Sequence, residues 1–165
     1  FLGFVRPYKG LDVAIEALPL LPANVTLTVA GEFWDDPQDW ATMVENLGVA
    51  ERVELRARYQ SDEEVADLLG SHHVLVLPYK SATQSGLAPL AFAAGRPVVA
   101  SRVGGLAEAV DHGVSGFLVD AEDPQALADG IEAALQDLPA LSEGAREAGS
   151  TWLDYVGAVT DLGRR

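Results

Sequence analysis

The stretch Lys80–Gly105, KSATQSGLAPLAFAAGRPVVASRVGG, decides how this chain of 165 residues is read. It runs from a polar loop into an apolar helical segment, then a buried β-branched run, then paired glycines, without a single carboxylate. A loop of small polar residues entering a helix leaves backbone N–H groups free at the positive end of the helix dipole. That is the setting in which phosphorylated ligands are held. The question is whether the same stretch also carries groups for chemistry.

Outward from it, short apolar runs alternate with amphipathic stretches along the chain. The strand candidates are Phe1–Val5, Val25–Ala30, Val53–Ala57, Val74–Leu77, Pro97–Ala100 and Gly116–Val119. Several are apolar nearly end to end, as strands covered on both faces must be. Between them, Leu11, Ala14, Ile15 and Leu18 share one helical face until Pro19 discourages continuation. Ser61-Asp62-Glu63-Glu64 is a capping-box pattern ahead of Val65, Leu68 and Leu69. Asp123-Pro124 places an N-cap before a proline at the first helical position, with Leu127, Ile131 and Leu135 behind it. Trp40, Val44 and Leu47 mark a further helix after the Asp35-Asp36-Pro37 turn, and Trp152, Leu153 and Val156 fit a final docking helix. This alternation predicts one α/β domain over 1–165, a doubly wound, Rossmann-like parallel sheet with right-handed crossovers.

Composition narrows the function. A hydrophobic content of 48% requires a packed core, and no apolar run is long enough to span a bilayer. The absence of cysteine excludes a disulfide framework and fits a reducing cytoplasm. The chain starts at Phe1 as a strand already under way, and its only methionine is Met43, so a fragment of a longer protein is expected. A net charge of −14 repels nucleic-acid phosphates and anionic lipid. A small anion remains acceptable where a few cations and helix ends converge.

In open α/β sheets ligands bind beyond the carboxyl ends of the strands. Gly3–Gly10 brings Arg6 and Lys9 to such a junction, which suits a phosphate or diphosphate; a solvated loop with incidental charges is the plainer reading. Gly31-Glu32-Phe33-Trp34 reads as structural, its aromatics covering a core edge. In Lys80–Gly86, Ser85 is a capping candidate and Gly86 leaves amides accessible, though ordinary capping explains both. Val103-Gly104-Gly105 permits close ligand approach or a tight turn equally. No Gly-x-Gly-x-x-Gly or Walker A motif is present. His72 and His73 are adjacent on a strand and so face opposite ways, His112 reads as a turn residue, and no Ser-His-Asp set can be drawn.

Taken together, the segments FLGFVRPYKGLDVAIEAL, VAGEF, RYQSDEEVADLL, HHVLVLPYKSATQSG, AFAAGRPVVASRVGGLAEAVDHGVSGFLV and EDPQALADGI resemble, in order and over nearly the whole chain, the C-terminal, donor-binding domain of the GT-B retaining glycosyltransferases called group 1 or family 4. The resemblance implies a nucleotide-sugar donor held without a metal or other cofactor. It implies that Arg6 and Lys9 neutralise the diphosphate, with Ser85 and Gly86 beside them. Gly3, Thr83, Gln84, Gly104 and Gly105 match positions around the donor sugar and phosphates, and Arg58-Tyr59-Gln60 matches the nucleobase region. It implies a sugar, lipid or protein acceptor bound by an N-terminal domain outside this chain, an inactive isolated fragment, and a cytoplasmic or membrane-peripheral location. Catalytic residues are not assigned.

The resemblance breaks inside the opening stretch. Many members carry two glutamates there, at the positions that are Ala82 and Leu90 here. Neither replacement binds a sugar or ribose hydroxyl as a carboxylate does. Two readings from different classes therefore stand, the donor half of a sugar transferase and a catalytically silent nucleotide-sugar-binding domain; a GT-B epimerase is a third. Donor sugar, nucleobase, acceptor and oligomeric state are not encoded in these motifs.

Overall fold

A computed structural model describes residues 1–162, with side chains described through Ser150. Its middle layer is parallel sheet. β1 (Leu27–Gly31) pairs with β2 (Val53–Ala57), Leu27 opposite Val53 and Gly31 opposite Ala57. β3 (Leu75–Leu77), β4 (Val98–Ser101) and β5 (Gly116–Val119) pair in that order.

The expected strand Phe1–Val5 lies beside β1 but is not a regular strand. It is joined by separate parallel bridges, Leu2 to Ala30 and Val5 to Phe33. Ala30 N–H donates to Phe1 O and Gly3 N–H to Ala30 O; the ladder then resumes with Val5 N–H to Glu32 O and Trp34 N–H to Val5 O. Between the bridges Gly3 takes φ 94° and Gly31 φ 147°, which interrupts the rungs.

Helices cover both faces. Residues alternate between two apolar clusters, as a period-two strand requires. Val29, Val76 and Val99 face α1 (Leu11–Ala17) and α6 (Pro124–Gln136), while Ala30, Leu77 and Ala100 face α3 (Asp62–Ser71) and α4 (Leu87–Ala93). Both clusters draw on β1 and on β3–β4, so the two sheets share one layer. α2 (Pro37–Asn46) adds Val44 to the first cluster; α5 (Gly104–Ala109) and α7 (Leu138–Leu162) add Leu106 and Ala145 to the second. Leu11 and Ile15 are wholly buried, and each such side chain contributes roughly 1.5–3 kcal/mol. This is the doubly wound α/β architecture. Trp152, Leu153 and Val156 fall within α7, but their packing lies outside the described side chains.

Local chemistry sets the helix starts as expected. Ser61 Oγ accepts from Glu64 N–H while the Glu64 carboxylate accepts from Ser61 N–H, a reciprocal cap worth about 1 kcal/mol. Asp123 Oδ1 accepts from Ala126 N–H ahead of Pro124. Pro19 converts the end of α1 into a single 3-10 turn. On β2, whose burial is partial, Glu54 and Arg56 pair at 2.7 Å, and charges of this kind blunt an exposed edge.

Candidate functional site

The loops at the carboxyl edge of the sheet interlock. Arg6 enters in an extended conformation, Pro7–Lys9 form a 3-10 turn, and Gly10 (φ 71°) starts α1. A Cβ on Gly10 would stand 1.9 Å from Pro78 O, so only glycine lets the first loop lie against the end of β3. Lys80 N–H donates to Tyr8 O at 2.7 Å, and the Lys80 ammonium is ion-paired with Asp12. The first and third loops are thus one unit.

Within it Lys9 is buried, only 8% exposed. Its Nζ lies 5.5 Å from the Tyr79 ring centroid and 3.0 Å from where a Cβ on Gly3 would sit. Among the described residues no carboxylate pairs with it. Burial, and next the nearby Arg6 charge, push its pKa below the ordinary 10.5. Tyr79 is itself buried and meets Tyr8 edge-on at 5.8 Å. Burial raises its phenol pKa, a bond with Ser85 opposes the shift, and Tyr8 adds to it. Arg6 is exposed, its guanidinium 4.8 Å from the Phe4 ring centroid and 5.1 Å from that of Trp34.

The third loop is held by the fourth. Gly105 N–H donates to Thr83 O at 3.1 Å. Gly104 takes φ 43°, and a Cβ there would stand 1.6 Å from Ala82 O. A Cβ on Gly105 would meet Thr83 O at 2.6 Å and the Gln84 Cγ at 3.4 Å. The close approach that this glycine pair permits is therefore to the loop 82–84, and α5 begins at Gly104 itself rather than after a turn. Gly86, not Ser85, is the residue preceding α4, although Ser85 Oγ does accept from Leu87 N–H at 3.3 Å. The space a Gly86 side chain would take is open.

Farther along the edge, Arg58 is engaged by Glu64 at 2.6 and 3.1 Å and by Tyr59 O at 3.0 Å. Hydrogen bonds from Arg58 and then from the Ser61 backbone hold the Glu64 carboxyl down to about 2. Tyr59 is 67% exposed. Gln60 is buried, with its amide donating to Arg58 O and its Oε1 unpartnered. Of the positions where relatives of this pattern carry glutamate, Ala82 packs against the second core cluster and Leu90 is 43% exposed.

The structure therefore gathers Gly3, Lys9 and Ser85 around Tyr79, brings Arg6 near Lys9 but over Phe4 and Trp34, and sets Thr83 and Gln84 against Gly104 and Gly105. Arg58 and Tyr59 stand apart on the α3 cap. Sequence reasoning missed Phe4, Tyr8, Trp34 and Tyr79. Trp34, read as covering a core edge, is 65% exposed; Phe33 does pack on the core. The signal available was an aromatic residue close to each of these strand ends, which is where side chains leave the sheet. His72 and His112 are structural, as His72 bonds Thr28 Oγ1 and Leu68 O, and His112 accepts from Leu118 N–H, while His73 is exposed. Among the described residues no group of His, Cys, Asp or Glu is placed to hold a metal ion, and no helix is long and apolar enough to cross a membrane.

Comparison with known proteins agrees with this fold. The family model described as glycosyl transferases group 1 matches residues 1–137. D-inositol 3-phosphate glycosyltransferase 1 of Catenulispora acidiphila is 35% identical, covering 94% of this chain and 41% of that protein. The chain spans about two fifths of the length of the curated relatives it matches. Anabaena Alr3699/HepE in complex with UDP superposes with a TM-score of 0.85 at 25% identity, over 98% of this chain and 47% of its own. The same protein in complex with UDP-glucose gives 0.79 at 25% identity, over 90% of this chain and 42% of its own. With such motifs on such a sheet, this chain belongs to the group 1 glycosyl transferases.

Proposed function

We propose that this chain is the donor-binding half of a glycosyltransferase that moves a sugar from a nucleotide-sugar to an acceptor with retention. One observation carries the reading. In a chain of net charge −14, a buried ammonium at Lys9 has no carboxylate partner among the described residues and sits beside Arg6, which has none among them either. A buried unpaired cation is costly, and a bound anion removes the cost. As the glycosidic C–O bond breaks, negative charge builds on the departing phosphate oxygen. Two cations fixed at a partly dry site stabilise that charge more than they stabilise the intact donor. No metal is required for this step, because Lys9 and Arg6 supply the positive charge. Ser85 bonds Tyr79 beside Lys9, with Thr83, Gln84 and Gly86 its neighbours in the loop, and the structural likeness to HepE, seen with UDP and UDP-glucose, makes a uridine nucleotide the first ligand to try.

Acceptor binding and transfer belong to a partner domain in this reading, with a cytoplasmic setting supported by the cysteine-free composition. Calorimetric titration with UDP, GDP, ADP and inorganic pyrophosphate tests it. Binding is expected in the wild type and at least tenfold weaker in Arg6→Ala; unchanged affinity in that variant removes the diphosphate assignment. A second reading, a domain that binds the donor without supporting transfer, is favoured by the apolar, exposed Leu90 where a carboxylate is common. Donor hydrolysis by the full-length protein separates the two, since a silent domain binds UDP-sugar and releases no sugar from it.

A further inference from the structure

Among the described residues most arginines, and Lys80, are satisfied in recognisable ways. Glu54 and Glu64 neutralise Arg56 and Arg58, and Asp12 neutralises Lys80. Arg52, Arg96 and Arg102 donate to backbone carbonyls. Arg6 does neither. Its guanidinium instead lies over Phe4 at 4.8 Å and Trp34 at 5.1 Å, both within the roughly 6 Å at which a ring attracts a cation. The rings brace each other edge to face, with centroids 6.1 Å apart and planes at 75°.

Backbone register builds this seat. Val5 and Phe33 are bridged in parallel, with Val5 N–H donating to Glu32 O and Trp34 N–H to Val5 O. Val5 and Phe33 pack into the first core cluster. Residues flanking an inward side chain on extended backbone point outward, which puts Phe4, Arg6 and Trp34 together on the solvent side. Packing does not account for Trp34, because it leaves most of the indole exposed. A carboxylate in the same place would also fix the guanidinium, but it would cancel the charge. Aromatic faces fix it through their quadrupole and leave the full positive charge and its planar fork of donors for an incoming anion.

We infer that Phe4 and Trp34 are positioning residues that hold Arg6, un-neutralised, for the pyrophosphate portion of the ligand. This rests on the diphosphate reading above. The Glu32-Phe33-Trp34 segment after β1 thereby joins the site although Trp34 need not touch the ligand.

The test is calorimetric titration with UDP and with inorganic pyrophosphate, using wild type, Trp34→Ala, Trp34→Phe, Arg6→Ala and the Arg6→Ala/Trp34→Ala double variant. Trp34→Ala is expected to weaken both ligands by the same factor, about threefold to tenfold, and Trp34→Phe to restore most of it. Once Arg6 is alanine, Trp34→Ala should cost nothing further. The inference is overturned by no loss in Trp34→Ala, by loss confined to UDP, which makes Trp34 a stacking surface for the nucleoside, or by loss that persists without Arg6. Thermal unfolding of Trp34→Ala guards against a folding defect, with Trp34→Leu as the substitute that keeps apolar bulk. If Arg6→Ala binds both ligands as the wild type does, the diphosphate reading fails and the ligand role goes with it. The seat is still decided separately by the Arg6 Nε–H resonance, shifted by the rings in the wild type and released in Trp34→Ala; an unshifted wild-type resonance overturns it.

Discussion

Arg6 and Lys9 on one side, Arg56 and Arg58 on the other, are two pairs of cations toward the carboxyl ends of strands, built to opposite rules. Arg56 is half-buried and Arg58 exposed, and they are answered by Glu54 and Glu64 within hydrogen-bonding distance. Those contacts raise the arginine pKa values and lower those of the glutamates, so each partnership is self-sufficient. Arg6 and Lys9 have rings in place of carboxylates, and burial holds the Lys9 pKa down. The same residue types therefore do different work. Charge that is matched locally caps a helix or guards an edge, while charge left unmatched is available to a ligand.

The contrast can be broken most forcefully at Lys9. Lys9→Met keeps the length of the side chain and removes the ammonium. UDP affinity should fall about a hundredfold, while stability of the free chain should rise by about 1 kcal/mol, because an unpaired buried charge is gone. The sign follows from the lowered pKa. Below its folded value Lys9 is charged in both states and the burial penalty is complete; above the ordinary 10.5 it is neutral in both and the penalty vanishes. The stabilisation by Lys9→Met should therefore disappear as pH rises through that window, as thermal melts across pH would show. A destabilised Lys9→Met at pH 7 would mean that the ammonium is satisfied within the fold.

A gentler probe is Arg58→Ala. Because Glu64 already occupies this guanidinium, pyrophosphate affinity should change by less than about twofold. A loss comparable to that of Arg6→Ala would erase the distinction between the two pairs. Smallest is the acid response of the α3 cap. Glu64 titrates near 2 when folded against an ordinary 4.5, so its contribution is complete above 4.5 and is lost as pH falls through 2. Protection factors at the Glu64 and Val65 amides, taken against the intrinsic exchange rate at each pH, should fall over that range in the wild type and show no such step in Glu64→Gln.

Much of this was legible in the sequence, and the remainder was hidden for physical reasons. The capping box at Ser61, the Asp123-Pro124 start and the alternation of Leu75, Val76 and Leu77 between faces all depend on neighbours in the chain. The break within Phe1–Val5 does not, since it arises where Gly3 meets β1. The seclusion of Lys9 depends on Tyr79, and the exposure of Trp34 depends on its register against Val5. The role of Gly104 is fixed by Ala82 O, a partner that sequence spacing alone does not reveal. Alternation and caps are local codes, whereas the contents of a parallel-sheet edge are set by segments far apart in sequence.

That separation has a kinetic consequence. α1 packs against α6, and these two helices come from nearly opposite ends of the sheet's sequence. One face of the layer thus remains open until α6 has been synthesised and has closed a long loop, an entropic cost met before any contact rewards it. On the ribosome the Arg6–Lys9 segment emerges before α6, yet its scaffold is completed only after α6 has docked. The proposed diphosphate seat is thus made well before α6, and acquires its final scaffold only with it.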